Sequence, residues 1–155
     1  MSIEKLDVNS QISIEIMQVF NQIPFNRMLG LNIEKIESDH IVASFPMQKE
    51  LVGNFHYGIL HGGVISSVLD VAGGVAAMIA ATKKHSQRNI IELANILAKT
   101  GTINLNINFL NPGKGEHFTA KAWVQKIGSK VIFTRMELHN EEIIIASGIG
   151  TYRVG

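Results

Sequence analysis

Cysteine is absent from the 155 residues, which removes disulfide scaffolds, thiolate nucleophiles and thiolate-held metals together. A reducing compartment suits such a chain, and the cytoplasm is the expected location. The opening MSIEKLDVNS carries Glu4 and Asp7 and lacks the basic start, apolar run and small-residue cleavage site of a secretory leader, so no export signal is expected. Charge of one sign is also scarce. Fourteen basic residues face thirteen acidic ones, with no basic cluster denser than Lys83-Lys84, so a phosphate backbone has little to hold it and no nucleic-acid partner is expected. His-x3-His, HExxH, GxSxG, the P-loop and the dinucleotide fingerprint are all missing, and His56 and His61 lie five apart with no shared geometry. Neither a metal nor a cofactor is expected.

What is present is an apolar fraction of 46% against 17% charged residues, enough to bury one core, and residues 1–155 read as a single domain. Ile12, Ile16, Val19 and Phe20 recur at helical spacing after Ser10, a candidate N-cap, in a helix ending near Gln22. PFNRMLG reads as a helical turn closed by Gly30. Leu31, Ile33 and Ile36, then Ile41, Ala43 and Phe45, alternate with polar residues as a hairpin around Ser38-Asp39. Residues 88–98 fit a short inserted helix. In GTINLNINFLNPG the strand alternation is continuous, which places Ile103, Leu105, Ile107 and Phe109 on one face and Thr102, Asn104, Asn106 and Asn108 on the other. Three further strands follow in HFTAKAWVQKI, SKVIFTRMELHN and EIIIASGIGTYRV, the last two joined through Asn140-Glu141. Met17, Met28, Met78 and Met136 fall at core-like positions.

Residues 64–80, VISSVLDVAGGVAAMIA, form the most apolar run and approach the length of a membrane span. A span needs about 20 apolar residues, and a central carboxylate costs roughly 2.5–3.5 kcal/mol on insertion scales; Asp70 sits near the middle. The run therefore reads as a helix apolar all round and buried inside a core, with Gly73, Gly74, Ala76 and Ala77 letting a sheet or helix approach its backbone. The order of helix, two strands, buried helix and four strands implies an α+β fold, an antiparallel sheet wrapped around a long central helix.

Polar residues and glycines concentrate just before that helix, from Gly53 to Gly63. The first N–H groups of a helix have no intrahelical partner and can hold an anion or a developing oxyanion; Gly62-Gly63 suits that role or simply a tight turn. His61 could donate to a substrate carbonyl or cap the turn. Asp70 lies two helical turns further on, on a face it can share with the helix start. A carboxylate inside an apolar helix must be satisfied or line a cavity, so Asp70 is the foremost candidate for chemistry, with structural capping as its alternative.

Asn54, Gly58, the run His61-Gly62-Gly63 and Asp70, followed by GTINLNINFLNPG, resemble the hotdog-fold thioesterase superfamily in its PaaI-like branch. PFNRMLG, VGN-x5-LHGGVI-x2-VLDVA, NPGKGE, ELHNEE and TYRVG extend the likeness to the YigI group of bacterial acyl-CoA thioesterases. The resemblance implies a hotdog fold, acyl-CoA as substrate on medium to long chains in lipid metabolism, and a homodimer or homotetramer with sites between subunits. It gives Asp70 the activation of water or direct attack, Gly62 the N–H that polarises the thioester carbonyl, and His61 a place beside it. Thr102 matches a hydroxyl that holds the attacking water from the opposite subunit. Asn54 stands seven residues before His61 where relatives usually place asparagine six before, and Gly63, Ser66 and Asn104 fall to substrate binding. The competing readings are a non-hydrolytic acyl-CoA or lipid-binding module and a hotdog enoyl-thioester hydratase, against which the HGG-x6-D spacing argues.

Overall fold

The computed structural model describes residues 11–141 and 143–155. Helix α1 (Gln11–Gln22) presents Ile16 to the core, and α2 (Pro24–Leu29) begins on proline and ends on Gly30 at φ 68°. That left-handed cap is a conformation glycine adopts without steric cost. Strands β1 (Asn32–Ile36) and β2 (Ile41–Pro46) form the expected hairpin. A 3-10 turn at Lys49–Leu51 leads into a two-stranded ribbon of β3 (Val52–Asn54) and β4 (Ile59–Leu60). The long helix α3 spans Gly62–Lys84 and the shorter α4 spans Ile90–Ala98. Four strands close the chain: β5 (Gly101–Phe109), β6 (His117–Ile127), β7 (Val131–Asn140) and β8 (Ile143–Arg153).

Six strands make one antiparallel sheet in the order β1-β2-β6-β7-β8-β5. Alternate residues of β6 and β7 (Phe118, Ala120, Ala122 and Val124; Ile132, Thr134, Met136 and Leu138) are buried against α3. The helix returns Val68, Leu69, Ala72, Val75, Ala76 and Ile79, all at 0% exposure. Small residues on α3 let it lie close over the sheet, and the apolar circumference of residues 64–80 is thereby explained as core. Among the described residues α3 is the one helix long and apolar enough to cross a bilayer, and most of that apolar stretch is buried in the fold.

Several expectations change. The β3–β4 ribbon was not anticipated, because two strands of three and two residues carry no periodicity to detect. Met28 is 63% exposed rather than core. The proposed Ser10 cap lies outside the described residues. In β5 the alternation breaks at Ile103: Thr102 pairs with Tyr152 and Asn104 with Thr151, leaving Ile103 as an extra, 57% exposed residue. Such a bulge exchanges the two faces on one side of it. Thr102 therefore joins Leu105, Ile107 and Phe109 on the helix side, not the asparagines.

Candidate active site

The start of α3 is built by local constraints. Asn54 Oδ1 accepts from the His56 N–H (3.1 Å), and its carbonyl accepts from Tyr57 and Gly58, so the side chain closes the β3–β4 turn. Gly53 is required there, since a Cβ would sit 2.5 Å from His61 Cα. The His61 N–H donates to the Leu51 carbonyl (2.9 Å), and the His61 ring caps the helix, Nδ1 accepting from the Gly63 N–H at 2.8 Å. In a neutral ring that leaves the proton on Nε2. The Gly63 N–H is thus already used, and a Cβ at Gly63 would come within 2.9 Å of His61 Nδ1.

The Gly62 N–H has no hydrogen-bond partner among the described residues. Beside it lies a cleft of about 340 Å³ whose walls include Leu60, Ile65, Phe109 and Pro112. Gly62 and Phe109 both line that cleft, the Phe109 ring lying 3.4 Å from where a Gly62 Cβ would be. The Ser66 and Ser67 hydroxyls donate back to the Gly62 and Gly63 carbonyls (2.9 and 2.7 Å). They steady the first turn of the helix.

Asp70 is half-buried and satisfied from two strands. Thr102 Oγ1 donates to its Oδ1 at 2.8 Å, and the Tyr152 hydroxyl lies 3.0 Å from its carbonyl oxygen and 3.3 Å from Oδ1. Burial raises the Tyr152 phenol far above its ordinary pKa, and the Asp70 carboxylate adds to the rise, so the phenol stays a donor. Tyr152 fits because α3 carries no side chain at Gly73, where a Cβ would fall 2.9 Å from Tyr152 Cζ and 3.0 Å from Met136 Sδ. The expectation that small residues on α3 let a sheet approach holds at Gly73, which admits the Tyr152 ring of β8; Gly74 meets that ring only in ordinary contact, at 3.6 Å. Sequence reading passed over Tyr152 and Gly53 as site residues; the glycine pair within α3 was the available signal for the first.

The carboxylate and the open amide do not meet within one chain. Gly62 and Asp70 are eight residues apart on α3, about 12 Å at 1.5 Å per residue, whereas a general base and an oxyanion donor that act on one group each lie near 3 Å from it. A shared helix face is not proximity. The expectation that Thr102 reaches the site from the subunit opposite Asp70 also changes, because the bulge at Ile103 turns Thr102 onto Asp70 of its own chain. Asn104, paired with Thr151 on the outer face of the sheet, is not brought to either group. Among the described residues no three His, Asp or Glu side chains converge in a way that could hold a metal.

Residues 57–146 match the family model described as thioesterase superfamily. The medium/long-chain acyl-CoA thioesterase YigI of Escherichia coli K12 is 44% identical over 133 residues, covering 85% of this chain and 86% of the relative; YigI of Salmonella typhimurium matches to the same extent. A crystal structure from Shewanella oneidensis, described as related to the thioesterase superfamily, is 40% identical at a TM-score of 0.88, covering 95% of this chain and all of that one. The six-stranded sheet around one helix, the HGG helix start and these likenesses agree. The chain belongs to the thioesterase superfamily and is a thioester hydrolase on the hotdog fold.

Proposed function

We propose that the protein hydrolyses medium- to long-chain acyl-CoA to free fatty acid and CoA, at a site assembled from two copies. Asp70 and Thr102 come from one copy, and the Gly62 N–H with its His61 cap from the other. The observation that carries this reading is the division of the machinery. A carboxylate held by Thr102 and Tyr152 and an unpartnered helix-terminal amide are each complete, yet lie about 12 Å apart in one chain.

Strand β5 supports the pairing. It is the sheet edge, nine residues long, with neither lysine nor proline to blunt it and with Ile103 and Phe109 more than half exposed. Natural proteins rarely leave such an edge open. Two-fold pairing through β5 runs the two α3 helices antiparallel, so the start of one passes the middle of the other. The substrate relation follows the E. coli relative, named for medium- and long-chain acyl-CoA.

In the reaction Asp70 takes a proton from water, the resulting hydroxide attacks the thioester carbonyl carbon, and the oxyanion forms against the Gly62 N–H. Collapse breaks the C–S bond, and the proton held by Asp70 passes to the departing sulfur, giving carboxylic acid and thiol. Thr102 fixes the carboxylate rotamer and leaves Oδ2 for the water. A general base contributes about 10²–10⁴-fold and one oxyanion donor about 2.7–4 kcal/mol.

The experiment is thiol release from an acyl-CoA panel by Asp70→Asn. The substitution keeps shape and volume but cannot take the proton, so turnover falls at least a hundredfold while the assembly in solution is unchanged. Near-normal turnover would remove Asp70 from the mechanism. Tight acyl-CoA binding by the wild type without thiol release would make the protein a binding module.

A further inference from the structure

We propose that the apolar pocket between α1 and α4 receives the distal part of the acyl chain, and that Ala94 and Ala98 set the chain length it accepts; this rests on the hydrolase reading above. The pocket has a volume of about 490 Å³ and is walled by Ile16 and Phe20 of α1, Met78 of α3, and Leu93 and Leu97 of α4. Among the described residues Glu15, exposed, is its one charged lining residue. Ala94 and Ala98 stand at i and i+4 on α4, so they share one face, and both line the pocket while remaining exposed. Two alanines where the other α4 lining residues are leucines leave open space rather than a filled core.

Two stretches of the chain run from the pocket to the carboxylate. On α3, Asp70, Gly74 and Met78 form a single i, i+4, i+8 row. Gly74 has no side chain, and a Cβ there would reach no closer than 3.6 Å to Tyr152. The helix row between the carboxylate and Met78 is therefore flanked by the Tyr152 ring and not blocked by a side chain of its own. Thr100, just before β5, lines the pocket, and Thr102 of β5, two residues on, holds Asp70. One wall thus serves both places.

Length decides which substrates reach it. Asp70 to Met78 is about 12 Å along the helix, and an extended chain of single bonds advances about 1.2 Å per bond. Acyl chains of about ten carbons arrive at Met78, and only longer ones enter the pocket. Each methylene moved there from water contributes about fourfold in affinity, so the pocket discriminates by length without touching the thioester.

The test is kcat/KM for butyryl-, dodecanoyl- and hexadecanoyl-CoA with Ala94→Trp, Ala98→Trp and, as a control facing solvent on the same helix, Ile91→Trp (71% exposed in the native chain). Filling the pocket lowers kcat/KM for the two long substrates at least tenfold relative to butyryl-CoA in the alanine variants, while Ile91→Trp keeps the wild-type ratio. A ratio within twofold of wild type in both alanine variants, or an equal fall at all chain lengths, overturns the assignment. Should the wild type release no thiol from any of the three, the hydrolase reading fails by itself. Calorimetric titration of dodecanoyl-CoA then decides the pocket: weaker binding by Ala94→Trp supports it, and an unchanged Kd overturns it.

Discussion

Two adjacent glycines on α3 should respond oppositely to the same small change. Gly73→Ala puts a methyl 2.9 Å from Tyr152 Cζ and 3.0 Å from Met136 Sδ, inside contact distance to two side chains that are themselves buried. Overpacking of this kind costs about 1–3 kcal/mol. Displacing the Tyr152 hydroxyl from Asp70 forfeits a hydrogen bond to a charged group, about 1.5–3 kcal/mol, while replacing a helical glycine returns about 1 kcal/mol. The net is a loss of about 3 kcal/mol. For a chain of this size it lowers Tm by about 6–12 °C. Gly74→Ala meets Tyr152 only at 3.6 Å, ordinary contact, and gains the helix propensity alone; its Tm rises by about 2–4 °C. Differential scanning calorimetry on the two variants, each at the wild-type protein concentration, reads both signs. A Gly73→Ala protein as stable as Gly74→Ala would refute the placement of the Tyr152 ring against α3.

The remaining predictions concern the groups around Asp70. Tyr152 ionises in the folded protein well above its ordinary value of 10.0, so above pH 10 the unfolded state loses a proton that the native state keeps. Stability contributed by the neutral phenol is complete below pH 10 and declines above it by up to about 1.4 kcal/mol per pH unit. Urea titrations between pH 9 and 11 should show that slope reduced in Tyr152→Phe. Thr102→Val removes the 2.8 Å bond to Asp70 with little change of shape; thiol release falls about ten- to hundredfold in kcat, and Thr102→Ser recovers most of it. If Val at this position matched the wild type, the carboxylate would not depend on that hydroxyl for its orientation.

Much of the architecture was legible because it is written in periodicity. Ile12, Ile16, Val19 and Phe20 mark α1; alternation marks β1, β2, β6, β7 and β8; the unbroken apolar run marks α3 as interior. The short motif around His61 was legible because capping is local: His61 and Gly63 are two residues apart and settle their hydrogen bond within one turn. The β3–β4 ribbon escaped because so few residues define it. The face of Thr102 escaped because a bulge is set by what β8 presents opposite it, and not by the sequence of β5 itself.

The amino-acid order alone determined which segments turn inward, that a single acid interrupts the buried helix, and that glycines open its first turn. Each of these depends on neighbours within a few residues, where backbone geometry is fixed by chemistry. Tertiary structure decided who holds that acid. Thr102 and Tyr152 are 32 and 82 residues away from Asp70 along the chain, and hydrogen bonds act only over about 3 Å, so no reading along the chain brings them together. The same helix holds the Gly62 amide and the Asp70 carboxylate about 12 Å apart, a distance that α3, being rigid, cannot close.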